Sequence, residues 1–130
     1  MSKVVLKTIK DSMKEIGINY QFKKWKGHPV YPYFVGSYQE VPNNLEDGMQ
    51  ETSFILTGFA RSDGNADGVL QLEDAKEKIK NYFNTGKIAI TDSGSAVAIF
   101  YANTFGDLPT GDAELEKIEI NLTIKEWSVN

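Results

Sequence analysis

Residues 118–125 read IEINLTIK, and this stretch decides the fold. Ile118, Ile120, Leu122 and Ile124 alternate strictly with Glu119, Asn121, Thr123 and Lys125. Successive side chains of a strand point to opposite faces, so the pattern predicts a strand with one buried face. A buried sheet face needs a cover. Two covers are legible upstream. Val5, Ile9, Met13 and Ile16, with Leu6 beside them, form one apolar helical stripe, and Gly17 stands where a left-handed cap ends it. Leu72, Ala75, Ile79 and Phe83 mark a second amphipathic helix, stopped by residues 84–86.

The other strands follow from the same alternation. Ile18, Tyr20 and Phe22 alternate with Asn19 and Gln21, and residues 26–32, KGHPVYP, then force a turn. Residues 33–40 and 51–60, YFVGSYQE and ETSFILTGFA, are dense in branched and aromatic residues and read as strands. Residues 41–49, VPNNLEDGM, read as an exposed connection between them. KIAIT and AVAIFYA flank DSGS at 92–95, a hairpin signal, and residues 103–112 read as a long polar loop. The order is α-β-β-β-α-β-β-β. The expected fold is α+β: a mainly antiparallel or mixed sheet of five to six strands, with two helices packed on one face.

The 130 residues fit one domain, 1–130, and are enough to bury a core without staples. Hydrophobic residues make up 41% and charged residues 25%, and cysteine is absent, so no disulfide framework is expected. The lysine-rich N-terminus has only a three-residue apolar run, which predicts neither a signal peptide nor a membrane span. The expected location is a cytoplasm, unless a larger particle carries the protein out. A net charge of −4 argues against general nucleic-acid binding. Residues 1–44 carry +4 and residues 45–130 carry −8. This split is either scatter over a solvated surface or a basic face that meets the acidic face of a second copy.

Residues 63–74, DGNADGVLQLED, spell a calcium-binding loop. Such a loop places oxygens at positions 1, 3, 5, 7 and 12, with glycine at 6 for the sharp turn. Asp63, Asn65 and Asp67 supply the first three, Val69 its carbonyl, Gln71 a held water, and Asp74 closes the loop and opens the second helix. Leu70 occupies the position that such loops tuck inward. The spelling resembles the calcium loops of dockerin modules, which also use asparagine third and aspartate last. The same residues are those of ordinary turns, and Asp74 suits the positive end of a helix. Both readings stand: Ca2+ in a structural role, or a solvated loop.

No histidine-based or cysteine-based chemistry is expected, because His28 is the sole histidine and sits between Gly27 and Pro29 in a turn. Glu114, Glu116 and Glu119 gather before the last strand, either as paired acids or as a hydrated edge. Seven aromatics fall between Tyr20 and Tyr38: Tyr20, Phe22, Trp25, Tyr31, Tyr33, Phe34 and Tyr38. Core comes first for these, subunit contact second and sugar stacking third.

Read end to end, the chain resembles the tail terminators among the tail-completion proteins of long-tailed bacteriophages and prophages of Gram-positive bacteria. The resemblance rests on GINYQFKKW at 17–25, YPYFVGSY at 31–38, FILTGFA at 54–60, and the run from SGSAVAIFYA to IKEW at 93–127. It implies a virion structural protein with no catalytic residues and no required cofactor. It implies a ring of copies, usually six, that caps the tail tube and joins it to the head. The implied partners are other copies, the tail tube protein and head–tail connector proteins, with no membrane and no direct nucleic-acid readout. The implied places are the bacterial host cytoplasm during assembly and then the virion tail. Residues 43–48 and 104–112 are where contacts with neighbours are expected. The alternative from the residues themselves is a calcium-dependent module for a protein or a sugar.

Overall fold

The computed structural model describes residues 2–39, 49–64, 66–90 and 94–127. The connection read at 41–49 therefore lies outside the described residues except for Met49. The elements are α1 (Lys3–Glu15), β1 (Tyr20–Phe22), β2 (Tyr33–Gln39), β3 (Met49–Arg61), α2 (Gly68–Phe83), β4 (Lys87–Ile90), β5 (Ala96–Phe105) and β6 (Leu115–Trp127). The six strands form one sheet in the order β1-β2-β3-β6-β5-β4. The fold is α+β with the expected element order.

The long strands β3 and β6 lie antiparallel at the centre, with Leu56 opposite Ile120 and Phe54 opposite Leu122. Each contributes one parity of its residues to a single core: Phe54, Leu56 and Ala60 from β3, and Ile118, Ile120, Leu122 and Ile124 from β6. Val5, Ile9 and Met13 of α1 and Leu72, Ala75, Ile79 and Phe83 of α2 complete the same cluster. Both helices thus serve one face of the sheet. Gly17 takes φ +76 just past α1, and its amide bonds the Lys14 carbonyl at 3.2 Å. The Tyr82 hydroxyl donates to Glu15 at 2.7 Å and ties the two helices together.

The sheet is mixed, as the expectation allowed, and three details differ from the sequence reading. β1 and β2 are parallel, with Tyr20 opposite Phe34, whereas every other pair is antiparallel. The chain returns between them over residues 23–32, where Lys23 and Gly27 take φ +70 and +94, and the Tyr31–Pro32 peptide bond is cis. β5 extends through Asn103, Thr104 and Phe105, which read as loop. A bulge between Tyr101 and Asn103 shifts the register there. One extra residue exchanges the faces, so Thr104 follows Tyr101 onto the helix side, their hydroxyls bonded, and Phe105 turns to the other side.

The start of α2 is the third difference. Asp74 does not open the helix; Gly68 does, and Asp67 is its N-cap, with Oδ1 accepting the Leu70 amide at 3.1 Å. Val69 and Leu70 are exposed, so the first turn carries no apolar stripe for the periodicity to reveal. Replacing Asp67 with alanine leaves an amide of that turn without its acceptor. The expected loss is about 1 kcal/mol, measured by urea unfolding in the presence of chelator.

Candidate interaction face

The sheet has a second face on which no helix lies among the described residues. Its residues are the opposite parity of the central strands: Ile55, Thr57 and Phe59 on β3, and Lys117, Glu119, Asn121, Thr123 and Lys125 on β6. The five strands β2 to β4 make this surface ~19 Å wide at about 4.8 Å per strand. Its polar middle is pinned by the Asn121 amide, which donates to the Asn103 side-chain oxygen at 2.7 Å.

One end of the face is aromatic. Tyr33 lies between Trp25 and Phe59, with ring centroids 4.8 and 5.2 Å away, and Tyr31 is 5.5 Å from it. Arg61 stands over Tyr31 at 5.6 Å and reaches Asp112 at 3.4 Å. Burial, reinforced by Tyr31, pushes the Tyr33 phenol up from its ordinary range, so it stays neutral. The seven early aromatics are therefore divided. Phe22 stacks on Tyr38 and Phe54, 6.0 and 6.2 Å away, against the core, and Phe34 is fully buried. Trp25, Tyr31 and Tyr33 belong to the uncovered face.

The other end is aliphatic and sits on the sheet's edge. Ile88 and Ile90 of β4 are 67% and 75% exposed, opposite Ala98 and Ala96 of β5. Phe100 shares the face, with Lys125 over its ring at 5.8 Å. Phe105, turned outward by the bulge, is 52% exposed. Among the described residues β4 is an edge strand of the sheet, and its two isoleucines stand exposed on it.

Of the expected contact loops, residues 43–48 lie outside the described residues. Residues 106–114 form a knit loop: the Leu108 amide bonds the Lys117 carbonyl at 3.0 Å, and the Glu114 amide bonds Asp112 Oδ1 at 3.0 Å. That amide above all holds the Asp112 carboxyl below the usual carboxylate range; desolvation opposes it, and Arg61 adds to the lowering.

The described calcium-loop residues lie between the end of β3 and the second turn of α2. Asp63 is exposed and Asn65 lies outside the described residues. Asp67 is engaged as the helix cap, and Val69 stands in the first turn of α2, where carbonyls accept helical bonds. Leu70 is 58% exposed rather than tucked inward. Gln71 and Asp74 come together elsewhere. They line a depression of about 240 Å3 with Asn19, Pro32 and Lys78, and Gln71 Oε1 there is buried without a partner among the described residues. Among the described residues no three His, Cys, Asp or Glu groups are placed to hold a metal. Comparing the melting temperature in chelator and in millimolar calcium tests the calcium reading. A site saturated at a hundred times its dissociation constant would add about 2.7 kcal/mol and raise the melting temperature by several degrees.

The acids near β6 do not converge. Glu114 precedes the strand and lies 3.9 Å from Arg61, Glu116 accepts from the Ser62 hydroxyl at 3.4 Å, and Glu119 is on the uncovered face. His28 is exposed, and its carbonyl accepts the Trp25 indole N–H at 3.1 Å. No helix among the described residues is long and apolar enough to cross a membrane. No protein-family model matches the chain, and no curated protein matches it either.

Proposed function

We propose that this protein is a structural component of a long-tailed phage or prophage, of the tail terminator kind. Copies form a ring that caps the tail tube and joins it to the head through protein contacts. The observation that carries this reading is the uncovered sheet face, above all Ile88 and Ile90 standing exposed on the edge strand β4. Each apolar side chain moved out of water there contributes about 1.5–3 kcal/mol to an interface. The aromatic cluster at the opposite end of the same face supplies the residue types that interfaces favour. A head-to-tail contact between two different ends closes into a ring when the rotation between copies allows it.

On this reading the chain performs no catalysis and needs no cofactor. Its further partners are the tail tube protein and the head–tail connector proteins, met in the host cytoplasm during assembly and kept in the virion tail. The resemblance in residues 17–25, 31–38, 54–60 and 93–127 supports the choice of family. The test is the mass of the particle in solution, compared between the chain as it stands and a variant with charged residues at 88 and 90.

A further inference from the structure

The first edge of the sheet carries a feature that the interaction face does not use. Among the described residues β1 is an edge strand, paired with β2 alone. Beside it runs a groove of about 590 Å3, walled by Leu6, Lys7 and Lys10 of α1 and floored by Tyr20, Gln21 and Phe22 of β1. Lys24 and Lys26 close its rim.

The backbone of β1 is arranged for another strand. The Asn19 carbonyl accepts from Phe34 at 2.8 Å, and the Lys23 amide donates to Gly36 at 2.7 Å. The alternation of a parallel ladder therefore turns the backbone groups of Tyr20 and Phe22 away from β2, toward the groove side. The Phe22 carbonyl there already accepts the Lys24 amide at 2.9 Å, which leaves the Tyr20 and Phe22 amides and the Tyr20 carbonyl for a further strand. The rim is preset. The Gln21 side chain donates to the Lys26 carbonyl at 3.1 Å and accepts the Lys26 amide at 3.0 Å. Lys7 is paired with Asp11 at 2.9 Å, but Lys10, Lys24 and Lys26 have no acidic partner among the described residues. The Tyr20 hydroxyl also lacks a hydrogen-bond partner among them, and burial pushes its pKa up, so it remains a donor.

We propose that this groove is a strand-addition site for an extended acidic segment of a partner protein. The segment lies beside β1 as a further strand, with an apolar side chain over Leu6, Tyr20 and Phe22 and carboxylates against the lysines. Main-chain bonds supply affinity in such a mode, and alternate side chains supply choice.

Charge decides against this protein's own other edge as the occupant. β4 would bring Lys87 on its helix-side parity into a groove already holding four lysines. Asp112 and Glu114 of the 106–114 loop are engaged with Arg61, and Glu73 is engaged with Lys76.

The test uses the full chain, labelled for NMR, and two synthetic seven-residue peptides. One alternates glutamate with valine and leucine; the other replaces each glutamate with glutamine. The acidic peptide is expected to bind, to shift and protect the Tyr20 and Phe22 amides, and to weaken as salt is added. A Lys10→Glu and Lys24→Glu double variant, changed only at exposed positions, is expected to lose about tenfold or more in affinity while keeping the native spectrum.

No binding at millimolar peptide overturns the proposal, as does equal binding of both peptides. Shifts confined to α1, with no protection of β1, overturn it as well. Loss of self-association in the double variant would assign the groove to a second copy and overturn it too. The site is independent of the ring, so a variant charged at 88 and 90 is expected to bind the acidic peptide unchanged.

Discussion

Phe34→Ala is expected to lower stability by about 3–5 kcal/mol, a large share of the roughly 5–15 kcal/mol that holds a domain together. Phe34 is completely buried and lies opposite Gly58 in the β2–β3 ladder. A side chain at Gly58 would meet three Phe34 ring atoms at under 3.0 Å, so the glycine exists to make room for the ring. Gly58→Ala alone is expected to cost about 1–3 kcal/mol through overpacking. The two changes should not add. With the ring gone, the new methyl enters the vacated volume, and the double variant should be about 1 kcal/mol better than the sum. Urea unfolding of the four proteins measures this. Strict additivity would show that Gly58 is not there for Phe34.

The second large effect concerns assembly rather than folding. Ile88→Asp with Ile90→Asp is expected to abolish self-association and leave the monomer fold intact. Both side chains are mostly solvent-exposed in the single chain, so their replacement should change its stability by about 0.5 kcal/mol or less. In an interface each loses about 1.5–3 kcal/mol of burial, and the new carboxylates must also be desolvated. At 1.4 kcal/mol per factor of ten, association should weaken roughly a hundredfold or more at each contact. Leu70→Asp is the control: Leu70 is equally apolar and exposed, but on α2, away from the uncovered face. Its self-association should match that of the unaltered chain. If Leu70→Asp dissociates the particle and the β4 variant does not, the interface lies on the helices.

The legible parts of the sequence are those where one residue pattern answers to one physical constraint. Ile118 to Ile124 alternate because β6 has one core face, and Val5, Ile9 and Met13 recur because α1 buries one stripe. The division of the early aromatics was not legible. It depends on which parity of β2 faces the helices, and that is set by the register against β3. The side taken by Phe105 depends on a single extra residue in β5, invisible without the ladder. The calcium spelling misled about α2 because Asp67 and Gly68 are good cap residues as well as good loop residues. The uncovered face was hinted at only by an excess of aromatics. Ile88 and Ile90 gave no signal, because a strand reading does not say which strands are edges.

The central claim is that this chain works by touching copies of itself. Sedimentation velocity on the unaltered protein across a concentration series tests it most directly. The account predicts a discrete species at a multiple of 14.5 kDa, six copies for the implied ring, in equilibrium with the single chain. A sole species at 14.5 kDa at every concentration, with the same result for the β4 variant, would contradict it.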